Sequence, residues 1–268
     1  PLLPVGATWL PPAARMNFVK AGLSNFNPHP NDISFVGQSR ISHILKCYQI
    51  LNSTFSALTN RKNFFSKVKL NGNFTSFYKS FISLKMAFYE IIETIKTIYP
   101  NHTYYVVYLF KMIETGLFRI SAIEKINERN FVLHIYGDDE WLKVSGVNEK
   151  NFHGVCMPSD LPKIYQLSKI NLNLNFMQVS STVNPKVLDI VACGGLVLTD
   201  YRPELDVLFP KRNVRPFSFE NINDLPDAIE IILEMDTYEY RKNVMNYTHD
   251  CHTLLHRAKY FEAKYLSN

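Results

Sequence analysis

NPKVLDIVACGGLVLTD, residues 184–200, contains the clearest structural pattern in the chain. Its first part has apolar residues at helical spacing, with Pro185 in the first turn and Gly194 at the expected end, the usual arrangement of a short helix. The small residues at 192–194 let this helix end close to the chain that follows. That chain, residues 196–199, is a continuous apolar run of the kind that forms a buried strand. The stretch therefore predicts a helix that leads directly into a strand of a parallel sheet.

Similar apolar runs and helical patterns recur outside this stretch. Strands are predicted at 33–37, 131–137, 152–155, 170–175, 196–199 and 214–219, and helices at 160–168, 184–193, 225–235 and, as one long helix, 237–266. Because strands that alternate with helices are joined by right-handed crossovers, the chain predicts an α/β fold with a Rossmann-like parallel sheet flanked by helices. Ligands of such sheets bind at the carboxyl ends of the strands.

Two segments depart from this alternation. Residues 1–30 are rich in proline and lack sustained periodicity, which predicts an extended linker or a segment lying over a surface. Because the sequence starts with Pro1, we interpret this segment as a linker from an N-terminal domain that the sequence does not contain, followed by one domain at 31–268. From about 55 to 127, apolar residues recur at helical spacing with a break at Pro100, which predicts a helical insertion without strands of its own.

Composition narrows the class of protein. A chain of 268 residues that is 46% hydrophobic and 20% charged is unlike a disordered chain or a coiled coil. Its net charge of +5 favours anionic partners without choosing among them. The basic stretch 61–69 is compatible with a nucleic-acid-associated helical protein, but a solvated helical face is the simpler interpretation, so we expect no nucleic-acid partner. No apolar run reaches the length of a membrane span, and we expect a cytoplasmic protein without an integral membrane segment.

The sequence lacks several common catalytic motifs. There is no P-loop, no Gly-x-Gly-x-x-Gly and no Gly-x-Ser-x-Gly. The four cysteines have no metal-ligand spacing, and the acidic stretch 138–140 favours a loop over a metal site because adjacent residues of an extended chain point in opposite directions. His153 is a candidate for catalysis, although a single histidine at a strand end is more often structural. We therefore expect neither a metal nor a cofactor.

A family resemblance rests on the opening stretch and on five others that occur in the family's order. These are ISFVG at 33–37 with Arg40, LHIYG at 133–137, FHGV at 152–155, LPKIY at 161–165 and YRPEL at 201–205. Together they resemble the C-terminal domain of GT-B glycosyltransferases, in particular the group related to the spore-maturation protein CgeB. That group has Asn-x-Arg-x-Phe-Glu-x-x-Ala-Cys-Gly before a Leu-Leu-Thr-Asp strand.

The resemblance implies that the chain is the donor-binding C-terminal half of a GT-B fold. Its donor would be a nucleotide-sugar, with a UDP-sugar as the expected one, and its acceptor an unknown glycan, protein or lipid. In such enzymes a catalytic base usually lies on the N-terminal domain, so the sequence assigns no catalytic residue. The donor-binding residues implied are Gly37, Arg40, Gly137, Gly154, Asn184, Lys186, Asp189 and Gly194.

Within this set, the resemblance gives Asp189 the role of accepting hydrogen bonds from the ribose hydroxyls. Free backbone N–H groups around Asn184 and Lys186 are expected to face the diphosphate, and Arg40 to add a fixed positive charge. From the residues alone, Asp189 and Arg40 are equally compatible with helix-surface positions, and the glycines with strand ends.

Three positions depart from the family pattern: Asp189 stands where Glu is usual, Lys186 where Arg is usual, and Ser181 where many relatives have a sugar-contacting Glu. Retaining and inverting chemistry both remain open. The alternative function is a non-catalytic interaction module that keeps the fold, and nucleotide binding distinguishes the two.

Overall fold

Parallel strands form the centre of the protein in a computed structural model that describes residues 12–24, 31–59, 92–93, 97 and 100–265. Within these residues the sheet has five strands in the order β2-β1-β3-β4-β5, and every neighbouring pair is parallel. The strands are β1 Asn31–Val36, β2 Leu133–Tyr136, β3 Ser168–Asn173, β4 Val197–Asp200 and β5 Phe217–Phe219. The predicted α/β fold with a parallel, Rossmann-like sheet is confirmed.

Helices cover both faces of the sheet. They are α1 Met16–Ser24, α2 Ile41–Thr59, α3 Pro100–Glu128, α4 Leu161–Gln166, α5 Lys186–Ala192, α6 Glu204–Leu208, α7 Leu225–Glu234, α8 Tyr238–Cys251 and α9 Leu254–Tyr265. One core cluster contains the buried side chains of α2, α3 and α7, and a second contains those of α1, α4, α5, α6 and α8. The sheet therefore lies between two helical layers.

The end of β1 is fixed by tight packing. Phe35 is fully buried and meets Trp141 edge to face, with ring centroids 5.4 Å apart, and the Trp141 indole donates a 2.8 Å hydrogen bond to the Gly37 carbonyl oxygen. Burial of side chains of this size stabilises the fold by about 1.5 to 3 kcal/mol each. The backbone that follows β1, where the candidate site begins, is thus held by the core.

Two of the predicted strands, at 152–155 and 214–219, deviate most from their predicted ranges. Residues 152–155 form no strand, because only Phe152 pairs with β2, through an isolated bridge to Ile135, and Gly154 has a left-handed φ of 68°. The last strand starts at Phe217 rather than at residue 214, because residues 212–214 form a 3-10 turn and Pro216 has no N–H to donate to a neighbouring strand.

The C-terminal tail also differs from its prediction. Instead of one helix it forms α8 and α9, which are separated at His252 and Thr253. At the break the chain contacts the N-terminal segment, since Thr253 makes an isolated bridge to Ala14 and the Ala14 N–H donates to the His252 carbonyl oxygen. This contact with a segment distant in sequence interrupts the helical pattern of the tail.

The N-terminal segment is not extended throughout, as α1 lies within it. Phe18 is fully buried and stacks on Tyr165 of α4, with ring centroids 6.0 Å apart. The described part of the segment, residues 12–24, therefore packs against the rest of the domain. Its interpretation as a linker from another domain stays a prediction.

The section between β1 and β2 is helical where it is described. Its described helices are α2 and α3, and α3 begins at Pro100, the predicted break. Residues 60–91, on which much of the predicted insertion and the basic stretch 61–69 fall, lie outside the described residues. Among the helices that the structure describes, none combines the length and the apolar character needed to cross a membrane.

Candidate functional site

Three of the predicted glycines meet at the carboxyl ends of β1 and β2. The Gly37 N–H donates to the backbone carbonyl oxygen of Tyr136 at 2.9 Å, and the Gly137 N–H donates to that of Gly154 at 2.9 Å. Gly137 has no room for a side chain, because a Cβ there would lie 2.3 Å from the Gly37 carbonyl oxygen. These positions are distant in sequence and adjacent in space.

Arg40 lies next to these glycines, at the start of α2, in a strained conformation. Its φ of 63° is in the left-handed region, which costs a non-glycine residue about 1 kcal/mol or more. The guanidinium carbon lies 5.0 Å from the centre of the Phe176 ring, within cation–π range. Its Nε is buried and has no hydrogen-bond partner.

A second guanidinium, from Arg119 of α3, contacts the same aromatic ring. Its carbon lies 4.9 Å from the Phe176 centroid, and its terminal nitrogens donate to the carbonyl oxygens of Gln38 and Leu174 at 3.2 and 3.4 Å. Burial, and then the nearby Arg40 cation, lower the pKa of Arg119 to about 10. The sequence analysis missed this residue. Arg119 is the one charged residue in the stretch 115–123. A charged residue within such an apolar stretch is a candidate for a buried cation, because charged side chains are rarely buried without a specific partner.

Lys186 brings a third cation to this edge from the first turn of α5. Its Nζ donates a 2.7 Å hydrogen bond to the carbonyl oxygen of Val36, the last residue of β1. Burial is the main cause that lowers the pKa of Lys186 to about 8, and the Arg119 guanidinium is the next. Among the described residues no carboxylate forms an ion pair with Arg40, Arg119 or Lys186. The arrangement concentrates positive charge at this edge, and a bound anion would reduce the repulsion between the cations.

The backbone at the start of α5 differs from the expectation. The N–H of Asn184 donates to the Asn175 side chain at 2.7 Å, and the N–H of Lys186 donates to the Asn184 side chain at 3.0 Å. The expected free N–H groups are therefore already used within the protein, because the side chains of Asn175 and Asn184 accept hydrogen bonds from them. Side-chain cations, rather than backbone amides, are the groups that remain for an anion.

Asp189 lies one turn further along α5, and its partner is on the N-terminal segment. Its side chain is 3% exposed and forms a 2.8 Å ion pair with Arg15. Gly194 ends the same helix with a φ of 83°, at the end opposite Lys186, and its carbonyl oxygen accepts from Arg241. The structure therefore brings Gly37, Arg40, Gly137, Gly154, Asn184 and Lys186 to the carboxyl edge, joins Asp189 to Arg15, and leaves Gly194 away from the group.

Unpaired buried polar atoms concentrate in the same region. In the described part of the chain, buried side-chain nitrogen or oxygen atoms without a hydrogen bond belong to Arg40, Arg119, Asn173, Asp200, Arg202 and Glu204. The Asp200 atom still has a counter-charge, since its Oδ2 lies 2.7 Å from an Arg202 nitrogen. The six residues lie at or just after the ends of β1, β3 and β4, or on α3. Buried unpaired polar atoms are rare in folded proteins, and such a concentration is typical of a binding site.

The acidic stretch 138–140 has a structural use. The Asp138 carboxylate accepts hydrogen bonds from the N–H and hydroxyl of Ser39 at 2.7 and 2.6 Å, and Glu140 accepts from the Ser42 N–H at 2.9 Å. These carboxylates satisfy donors at the start of α2 and stabilise it through the helix dipole. Within the described residues, no group of three or more His, Cys, Asp or Glu is placed to hold a metal ion.

His153 is part of an aromatic stack beside the glycines. It lies 2.9 Å from a ring nitrogen of His134 and stacks on Tyr136, with centroids 4.6 Å apart. Burial and the neighbouring His153 lower the pKa of His134. These contacts anchor the loop that carries Gly154 and give His153 the structural role favoured by its sequence position.

Comparison with known proteins gives the family. No curated protein matches the chain. A family model described as glycosyl transferase-like matches residues 119–263, more than half of the chain. The matched region begins at Arg119 and contains Phe176, Lys186 and the strand ends β2 to β5. The chain therefore belongs to this glycosyl transferase-like family.

Proposed function

We propose that the chain binds a nucleotide-sugar at the carboxyl edge of its sheet, as the donor-binding half of a GT-B glycosyltransferase related to the CgeB group. One observation carries the proposal: Arg40 and Arg119 flank Phe176, and Lys186 reaches the nearby end of β1. None of the three cations forms an ion pair with a carboxylate among the described residues. Three such cations destabilise one another until an anion arrives. A diphosphate supplies the negative charge that this arrangement lacks.

The cations suit a diphosphate in different ways. The Arg40 guanidinium presents a planar fork that matches two phosphate oxygens. Arg119, whose terminal nitrogens already donate to two carbonyl oxygens, and Lys186 contribute mainly their positive charge. Because Arg40 and Arg119 flank one ring, their spacing is set before the ligand binds, which reduces the entropy lost on binding. Preorganised charge of this kind also stabilises the leaving diphosphate during glycosyl transfer without needing a metal ion.

The remaining predicted residues would complete the donor site. Gly154 faces open space, and the close approach of Gly137 to the Gly37 carbonyl oxygen keeps the ends of β1 and β2 together. The Asn184 side chain holds the start of α5, from which Lys186 reaches the end of β1. Asp189 would bind the ribose hydroxyls in exchange for its contact with Arg15. A UDP-sugar is the proposed donor, no cofactor or metal is invoked, and the acceptor is a glycan, protein or lipid bound with the help of a second domain.

One observation favours a different class of function. In this structure Asp189, the residue proposed to bind ribose, is occupied by Arg15 of the same chain. A module that had lost donor binding would be free to use a former ligand contact to hold its own N-terminal segment. Such an interaction module would keep the fold but would not bind nucleotides.

A thermal-shift screen separates these functions. The chain would be heated with UDP, UDP-glucose, ADP, NAD and inorganic diphosphate, each at several concentrations. A ligand at about a hundred times its Kd stabilises the folded state by about 2.7 kcal/mol, so binding appears as a concentration-dependent rise in Tm. Stabilisation by UDP and UDP-glucose beyond that by diphosphate supports a nucleotide-sugar site. No shift with any nucleotide would support the interaction module.

A further inference from the structure

A second polar group lies beside the three cations, at the ends of β3 and β4. We call Asn173, Asn175, Asp200, Arg202 and Glu204 the strand-end cluster. Asn175 binds Asp200 through its N–H at 2.7 Å, and the Asn173 side chain donates to Thr199 at 3.0 Å. This cluster is continuous with the cations, because Arg119 donates to the Leu174 carbonyl oxygen and Arg202 contacts the Met177 sulfur at 3.7 Å.

The cluster differs from the cation group in charge. Asp200 and Arg202 form an ion pair at 2.7 Å, so their charges compensate each other. Glu204 is 5% exposed and forms no ion pair with a described Arg or Lys residue. The strand-end cluster therefore carries no excess positive charge, which makes it unsuited to a phosphate.

Four buried atoms of the cluster lack a hydrogen-bond partner, and one of them, Asp200 Oδ2, has the Arg202 guanidinium as its counter-charge. The other three are the acceptors Asn173 Oδ1 and Glu204 Oε1 and the donor Nε of Arg202. Glu204 has only half of its carboxylate satisfied, since Oε2 accepts from the Val183 N–H at 2.7 Å. Burial raises the pKa of Glu204, which reflects the same incomplete solvation. Two acceptors and one donor suit a ligand whose groups both donate and accept, and hydroxyl groups do so.

We infer that the strand-end cluster binds the sugar ring of the donor, that Glu204 accepts a sugar hydroxyl, and that the cluster selects a neutral sugar over a uronic acid. The inference rests on the proposed function, because the sugar follows the diphosphate that the adjacent cations bind. A uronate carboxylate would meet Glu204 without a free cation to compensate it, whereas a hydroxyl donates to the unpaired oxygen of Glu204.

The test compares UDP, UDP-glucose and UDP-glucuronic acid by calorimetric titration of the full 268-residue chain. The wild type is expected to bind UDP-glucose about tenfold more tightly than UDP-glucuronic acid. Glu204→Gln keeps an oxygen for the Val183 N–H and replaces the free acceptor by an NH2 donor. It is expected to bind UDP like the wild type, to lose about tenfold in affinity for UDP-glucose, and to discriminate little between the two sugars.

The control is Glu149→Gln, an exposed position in the turn before residue 152, which should leave all three affinities unchanged. Equal affinity of the wild type for the two sugars, or a preference for the uronate, would overturn the inference while UDP binding still supported the donor site. An equal loss for UDP and UDP-glucose in Glu204→Gln would also overturn it, since Glu204 would then act only on its loop. Absence of UDP binding by the wild type would overturn the proposed function, and this inference with it.

Discussion

Arg15 binds both carboxylate oxygens of Asp189, although the two residues lie 174 positions apart in the sequence. The Arg15 backbone N–H donates to Oδ1 at 3.0 Å, while Nε and a terminal nitrogen approach Oδ2 at 3.0 and 2.8 Å. The Asp189 side chain is 3% exposed, whereas that of Arg15 is 52% exposed. If a ribose binds this carboxylate, the more exposed partner, the Arg15 side chain, has to move away from it first.

If Asp189 binds ribose, Arg15 competes with the nucleotide. Arg15→Ala is then expected to raise the affinity for UDP, and Asp189→Asn to lower it by about tenfold to a hundredfold, because charge-assisted hydrogen bonds are worth roughly 1.5 to 3 kcal/mol each. Calorimetric titration with UDP and 2′-deoxy-UDP measures both effects. The wild type should bind 2′-deoxy-UDP more weakly than UDP. Asp189→Asn should bind the two nucleotides with nearly equal affinity, because the contact with the ribose has already been removed. Unchanged UDP affinity in both variants would assign the pair a purely structural role.

The same pair changes an expectation about stability. From the sequence, Asp189→Asn should affect nucleotide binding and leave folding nearly intact. Because the carboxylate is buried against Arg15, its removal is expected to lower the free energy of unfolding by about 1 to 3 kcal/mol. Chemical denaturation of wild type and variant measures this cost. The titrations must therefore be run well below the Tm of the variant.

Arg119 should contribute to nucleotide binding more than its place in a helical insertion suggests. Arg119→Met keeps an unbranched apolar stem and removes the charge, and is expected to weaken UDP binding about tenfold or more. The matched control is Arg129→Met, just beyond the end of the same helix, where an exposed guanidinium pairs with Asp227 at 3.0 Å. UDP affinities measured by titration should fall for the first variant alone. Equal affinities of the two variants would remove Arg119 from the site.

The sequence predicted the sheet because the strands are local features. Short apolar runs identified β1 to β4 within a few residues, with a glycine next to those of β1, β2 and β4. Their alternation with helices predicted the parallel topology. Arg119 was missed for the opposite reason. It lies within a helical section, and its place beside Phe176 depends on how α3 packs against the loop after β3, through contacts such as that of Thr115 with the Met177 N–H.

The break in the C-terminal tail has the same physical origin. The tail was predicted as one helix because its pattern was considered alone, and residues 1–30 showed no pattern that indicated a contact with it. In the structure they pair, through Ala14 with Thr253 and through Arg257 with the Pro12 carbonyl oxygen at 3.0 Å. No local periodicity contains such a contact, so long-range pairings and the partner of Asp189 could not be predicted from it.

Arg40 should show a conflict between stability and binding. Arg40→Ala and Arg40→Gly both remove the guanidinium, and both are expected to lower UDP affinity about tenfold. Only glycine adopts the observed φ of 63° without strain. The free energy of unfolding of Arg40→Gly should therefore exceed that of Arg40→Ala by roughly 0.5 to 1 kcal/mol. Paired urea titrations measure the difference. A less stable glycine variant would show that the backbone at Arg40 is not strained.

Donor binding should depend on pH through Lys186. Burial and the nearby Arg119 guanidinium lower the pKa of this lysine to about 8. Lys186 is therefore largely protonated at pH 7 and largely neutral at pH 9, and only the protonated form attracts a diphosphate. The affinity for a UDP-sugar should fall as the pH rises through about 8, by up to about tenfold between pH 7 and pH 9.

Other groups near Lys186 do not mimic this titration. Arg119, with a pKa of about 10, keeps its charge at pH 9, and burial raises the pKa of the Cys156 thiol above its usual value.

A UDP-sugar is the appropriate probe, because both of its phosphates are esterified and do not titrate between pH 7 and pH 9. Calorimetric titrations at half-unit intervals would compare the wild type with Lys186→Met, which should bind more weakly and with a flat pH profile. Lys150→Met, at an exposed position before residue 152, should retain the wild-type profile. A wild-type affinity that stays constant across this interval, or a Lys186→Met profile that still falls through pH 8, would mean that the ammonium of Lys186 does not contact the donor.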